Sequence, residues 1–291
     1  MTMQYPRLAD TLPTIEEVSF HADTARLSGK LYRPGLPPKA AIVLHPATGV
    51  PQGFYAPFAR WLSEQGYACL TYDYRDIGES LTQKARASQA TMAVWGRFDQ
   101  VAAQIAMEGR VPGVPIWVIG HSIGGLMIPF QSESAPRIKR MITVASGPVH
   151  FKDHPWIYKP VTALFWYVLG PLLTSLMGYL PGRILGLGLD LPSGVYWQWR
   201  RWCTSHGFYL NDAGSVLPYP DYRAFGGDLK VVAASDDPMV PPSAVWRLMQ
   251  LYPDAHKTQL TLKPETFGGR AIGHIGMFRK GNEAMWAEML R

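Results

Sequence analysis

The chain has 291 residues, of which 47% are hydrophobic and only 17% charged. A disordered chain shows the opposite balance, so most of it is expected to fold, as one large domain or two of ordinary size. The formal charge of +6 comes from scattered basic residues with no run of four, which reads as solubility and excludes a nucleic-acid surface.

Taken in order, residues 18–20 and 25–32 read as an opening hairpin. Residues 40–44 (AAIVL) are a short buried strand, followed by a loop, His45-Pro46-Ala47-Thr48-Gly49. Residues 54–65 have helical spacing, with Phe54, Phe58, Trp61 and Leu62 on one face, and Gly66 is placed to end that helix. A strand over 67–72, a helix over 92–107 and a strand over 116–119 come next. That strand runs into Gly120-His121-Ser122-Ile123-Gly124-Gly125, and a helix is expected from Gly125 onward. Further strands are expected at 140–145, 229–234 and 258–262. Apolar strands alternating with helices indicate an α/β fold with a mostly parallel sheet covered on both faces.

Between residues 147 and 214 the alternation stops, and no strand is expected there. Five of the ten tryptophans fall in this stretch. It reads as a helical cap, 147–214, inserted between the two parts of a catalytic core, 1–146 and 215–291. Residues 161–180 contain no charge and are long enough to cross a bilayer. Gly170-Pro171 breaks that run, which predicts two short helices over a pocket whose acyl part the aromatic residues line. Arg200 or Arg201 could meet an anionic substrate group, though adjacent positions on a helix point apart. Cys69 and Cys203 form neither a disulfide framework nor a zinc site. Residues 1–10 carry no apolar run of the signal-peptide kind, so a reducing cytoplasm is the expected compartment.

The chemistry starts at Gly120-His121-Ser122-Ile123-Gly124, which matches G-x-S-x-G. Small residues two before and two after let the chain turn tightly enough to present a serine hydroxyl. That hydroxyl needs a base and the base needs an acid. In the order serine, acid, histidine, the base falls at His274, in a glycine-flanked loop after the last strand. The acid falls at the end of the 229–234 strand, where Asp236 and Asp237 compete. Asp237, just before Pro238, fits a strand-end loop better, and Asp236 is the alternative. An oxyanion would be held by the N–H of Ile123 and by one from the 45–49 loop. Ala47 is the expected donor because Pro46 has no N–H. His45, before the nucleophile, is expected to be structural.

With these residues the chain resembles the α/β-hydrolase superfamily, particularly serine hydrolases of the serine aminopeptidase S33 or monoacylglycerol-lipase-like type. The resemblance rests on residues 45–49, Gln52-Gly53-Phe54-Tyr55, the run from Tyr72 to Ser80, Gly120 to Gly125, and Gly273 to Arg279. The stretch from Leu189 to Cys203 adds to it. Such hydrolases carry His-Gly where this chain has His45-Pro46, which stiffens the loop. They carry Arg-Gly where it has Arg75-Asp76, which adds a charge beside a turn. The resemblance implies an α/β-hydrolase fold and a Ser122–His274–Asp237 triad. The chemistry would pass through an acyl-enzyme, with no organic cofactor and no metal. The substrate would be a small ester or thioester with an apolar acyl part. Acyl transfer would use the same intermediate, and a non-catalytic binding protein on the same fold is the reading from another class. A cap against the core is preferred to a lid touching a membrane and to a true span, because a span would separate Ser122 from its acid and base. The oligomeric state is open, a homodimer included.

Overall fold

The computed structural model describes residues 12–291, so the amino-terminal stretch read for a signal peptide lies outside the described residues. The strands in chain order are β1 (Thr14–Ala22), β2 (Ala25–Arg33), β3 (Ala41–His45), β4 (Ala68–Tyr72), β5 (Ile116–His121) and β6 (Ile138–Val144). A two-stranded ribbon of β7 (Tyr179–Leu180) and β8 (Leu191–Pro192) follows, then β9 (Asp228–Ala234) and β10 (His256–Leu262). Eight of them form one sheet in the order β1-β2-β4-β3-β5-β6-β9-β10. β1 pairs antiparallel with β2, and β2 with β4; from β4 to β10 every pairing is parallel.

Every residue of β3 and β4 is buried. Successive side chains leave a strand on opposite faces, so two cores result. Val43, Leu70, Val118 and Met141 point into one. Ile42, Cys69, Ile119 and Ile142 point into the other, where α1 (Ala56–Glu64) brings Phe58 and Leu62. α2 (Gln100–Arg110) lies against β1 and β3 and is entered through a π turn, Trp95–Asp99. The parallel strands all end on one side. The 45–49 loop, Ser122, the Asp236–Asp237 pair and the chain beyond β10 gather there, where open α/β sheets place their ligands.

The chain from β6 to β9 adds nothing to the sheet, since those two strands pair directly. It holds α3 (Lys159–Met177) and α4 (Ser193–Thr204). Two expectations change here. The ribbon β7/β8 is present where no strand was predicted; two residues per strand leave no periodicity to read. The Gly170-Pro171 pair does not split the helix either. A π turn, Phe165–Leu169, precedes it, and the Gly170 N–H reaches back five residues to the Phe165 carbonyl. Pro171 has no N–H to offer Trp166 O at the same spacing. Arg200 Nε of α4 donates to that carbonyl instead, at 2.6 Å. One continuous helix results. Arg200 also lies over the Tyr167 and Trp197 rings, at 5.6 and 6.0 Å. Arg201 pairs with Asp212 at 2.6 Å. Both guanidinium groups thus have partners within the 147–214 segment. Trp166 and Trp202 are likewise buried in its packing.

Candidate active site

Ser122 follows β5 directly and has φ +55°, in the left-handed region. For a residue with a Cβ this costs about 1–2 kcal/mol, so the surroundings must enforce it. They do so by close approach. A Cβ on Gly124 would meet the His45 carbonyl oxygen at 2.2 Å, and one on Gly120 would meet the Gly125 Cα at 2.5 Å. No α-helix follows. The chain makes two 3-10 turns, Ser122–Gly125 and Ile128–Phe130, because Pro129 cannot donate within a longer helix. The expected helix from Gly125 is therefore corrected to tight turns, nearly all of them buried. Ile123 N–H belongs to the first of these turns, where intrahelical acceptors are lacking.

His274 and Asp237 meet. Nδ1 of the buried imidazole lies 2.8 Å from Asp237 Oδ2. The other oxygen, Oδ1, accepts the N–H groups of Met239 and Val240 at 2.8 and 3.1 Å. Asp236 is turned elsewhere. Its two oxygens accept the N–H groups of Ile272 and Gly273 at 2.8 and 3.0 Å, so it holds the loop that carries His274. Neighbouring residues leave the chain on different sides, and that separates the two carboxylates. Among the described residues Ser122 makes no hydrogen bond to His274.

Ala47 is engaged differently from the expectation. Its N–H donates to Tyr55 Oη at 2.9 Å. Tyr55 has one hydroxyl proton and faces His121 Nδ1 at 2.8 Å, so it donates there. His121 must then carry its proton on Nε2, which lies 2.9 Å from the His274 carbonyl oxygen. Burial, with His274 close by, holds His121 well below the usual imidazole range, which fits a neutral ring. One directed chain of hydrogen bonds thus joins the 45–49 loop, the residue before Ser122 and the backbone of His274. Tyr55 and His121 were both within the quoted motifs, but nothing in the spacing showed that they touch.

His45 is structural in geometry. Its Nδ1 lies 2.7 Å from Tyr72 Oη, and Gln104 donates to its Nε2 at 3.2 Å. Burial pushes its pKa down to about 3. Gln104 also donates to Gln131, and Tyr74 Oη donates to the Pro46 carbonyl at 3.1 Å. The loop with the unusual Pro46 is therefore held from below by a buried polar layer. Asp73, missed in the sequence, ties two neighbouring turns by accepting the N–H groups of Gln52 and Glu79 at 2.7 and 2.8 Å. Burial raises its pKa to about 6. Asp76, which stands where glycine is usual, has φ +61° and accepts hydrogen bonds from Thr82, Gln83 and Ser88. The aspartate keeps the left-handed turn and repays its strain with three donors. Among the described residues no three His, Cys, Asp or Glu side chains gather as metal ligands would.

The profile of the family described as serine aminopeptidase, S33, matches residues 36–184, just over half of the chain. The chain belongs to the S33 serine aminopeptidase family. The human monoglyceride lipase is a relative, 27% identical to this S33 protein over 171 residues, which are 57% of the chain and 51% of the lipase. The Saccharomyces cerevisiae monoglyceride lipase is 24% identical over 132 residues, 45% of the chain and 40% of that relative. The matched part spans about half the length of these curated relatives or less. An esterase of Pyrococcus furiosus has a similar structure, with TM-score 0.61 and 15% identity over 99% of this chain and 95% of that one. DcsB with its substrate analogue gives TM-score 0.64 and 16% identity, over 95% of this chain and 97% of that one. The fold is that of the α/β hydrolases.

Proposed function

We propose that the protein hydrolyses a small carboxylic ester or thioester with an apolar acyl part, through an acyl-enzyme on Ser122. The observation that carries this reading is the 2.8 Å contact of His274 Nδ1 with Asp237, on the side of the sheet where Ser122 is held at positive φ. The relationship to monoglyceride lipases supports ester chemistry.

In this reading Ser122 Oγ attacks the acyl carbonyl as His274 Nε2 takes its proton. Asp237 keeps the Nδ1 proton in place and stabilises the imidazolium. The tetrahedral oxyanion is held by Ile123 N–H and by Ala47 N–H, which exchanges Tyr55 Oη for it. Collapse expels the alcohol or thiol, which takes the proton from His274. Water, deprotonated by His274, then attacks the acyl-serine and releases the acid. The core is 1–146 with 215–291, and 147–214 is the cap that covers the acyl group.

A fluorophosphonate probe tests the nucleophile. It should label Ser122, and Ser122→Ala should lose both the label and turnover of a short p-nitrophenyl ester. A folded wild-type protein that stays unlabelled overturns the reading.

A further inference from the structure

Helix α3 is built inside out. Its buried stripe is Thr162, Trp166, Gly170 and Thr174, spaced by four. Its outer stripe is Val161, Leu164, Val168, Leu172 and Leu176, and the last two are 52% and 75% exposed. An amphipathic helix of a soluble domain has the reverse order. Single exposed leucines are ordinary, but a stripe along a whole helix marks a surface that meets something apolar. Two large apolar side chains close to the helix in the chain are exposed as well, Trp156 at 79% and Ile184 at 75%.

The inner face shows that the helix lies along its support. Trp166 packs against Trp199 and Tyr196 of α4, with ring centroids 4.9 and 6.3 Å away. A Cβ on Gly170 would run into Tyr196 Oη at 2.1 Å. Crossing a bilayer would strip α3 from α4, whereas lying in the interface would not. The charges point to the occupant. No Asp or Glu occurs between Asp153 and Asp190, while Lys159 opens the helix and Arg183 follows it. An exposed tryptophan just before the helix, Trp156, suits the headgroup zone.

We propose that the outer face of α3 docks on an anionic lipid surface, with Leu164, Val168 and Leu172 entering the acyl region and Lys159 and Arg183 meeting headgroups. The helix lies in the membrane plane over its length of about 28 Å. The proposal stands apart from the ester reading, because binding is read without turnover.

Cosedimentation with vesicles tests it. The wild type should pellet with vesicles of phosphatidylcholine and phosphatidylglycerol in equal parts, and less with phosphatidylcholine alone. Its tryptophan emission should shift to the blue on binding. Leu164→Ser with Val168→Ser and Leu172→Ser should lower partitioning at least thirtyfold, with an unchanged circular dichroism spectrum. Lys159→Gln and Arg183→Gln should each lower binding to the anionic vesicles about fivefold and leave the neutral ones unaffected. If the triple variant does not fold, Leu176→Ser, which touches water most, should lower partitioning alone. A wild type that remains in the supernatant with both vesicle types overturns the proposal. So does a solution dimer, seen by light scattering, that the serine substitutions dissociate, because the face then belongs to a second copy.

Discussion

Asp236 and Asp237 are adjacent carboxylates with separate partners, and asparagine at each position distinguishes them. Asp237→Asn keeps the size of the side chain, and its Oδ1 can still accept from Met239 and Val240. The atom facing His274 Nδ1 changes. An amide NH2 there meets a ring N–H, so the imidazole is driven to the other tautomer, with the proton on Nε2. A ring in that state cannot take a proton from serine. In serine hydrolases of unrelated fold such a change costs about 10⁴ in kcat, or about 5 kcal/mol of barrier.

Asp236→Asn acts on the loop. One of the two N–H groups, of Ile272 or Gly273, loses a charge-assisted acceptor and faces an amide NH2, and the other keeps a weaker one. Hydrogen bonds to a charged group are worth about 1.5–3 kcal/mol, so the fold should lose about 2–4 kcal/mol. Turnover should fall about tenfold, because the segment carrying His274 spends less time in place. Steady-state kinetics on a p-nitrophenyl ester gives the rates, and urea unfolding gives the stabilities. The two variants should differ about a thousandfold in kcat, and the order of their stabilities should be the reverse. If Asp236→Asn loses as much kcat as Asp237→Asn while unfolding at the wild-type midpoint, the assignment of the acid is wrong.

Arg200→Met leaves the Trp166 carbonyl without a donor and should cost about 1–3 kcal/mol. With Pro171→Ala restoring an N–H, that cost should shrink by about 1 kcal/mol; additive unfolding free energies in the double-mutant cycle would show that Pro171 is not the reason for the contact. His45, near 3 in the folded state against about 6.5 unfolded, contributes stability that is complete above pH 6.5 and is lost as the pH falls toward 3. Between pH 7 and pH 5 the wild type should therefore lose about 2 kcal/mol more than His45→Gln, and parallel pH profiles in urea unfolding would refute this.

What the sequence showed, and what it hid, follows the range of the interactions. The parallel strands were legible because β3 and β4 are buried on both faces, and an unbroken apolar run has few other uses. The elbow was legible because its constraint is local: the glycines flanking Ser122 answer to backbone within the same turn and to His45 beside it. The exceptions depend on partners no spacing rule supplies. The continuity of α3 through Gly170-Pro171 relies on a guanidinium 34 residues away from the carbonyl it meets. The commitment of Ala47 relies on a tyrosine from the turn before α1, which itself answers to His121. The outer face of α3 shows the same limit from the opposite direction. Its charge-free run was visible, yet composition alone makes a buried helix, a membrane span and an interfacial helix look alike. Only the packing against α4 shows that the threonines are inside and the leucines outside, and that arrangement gives the apolar run its meaning.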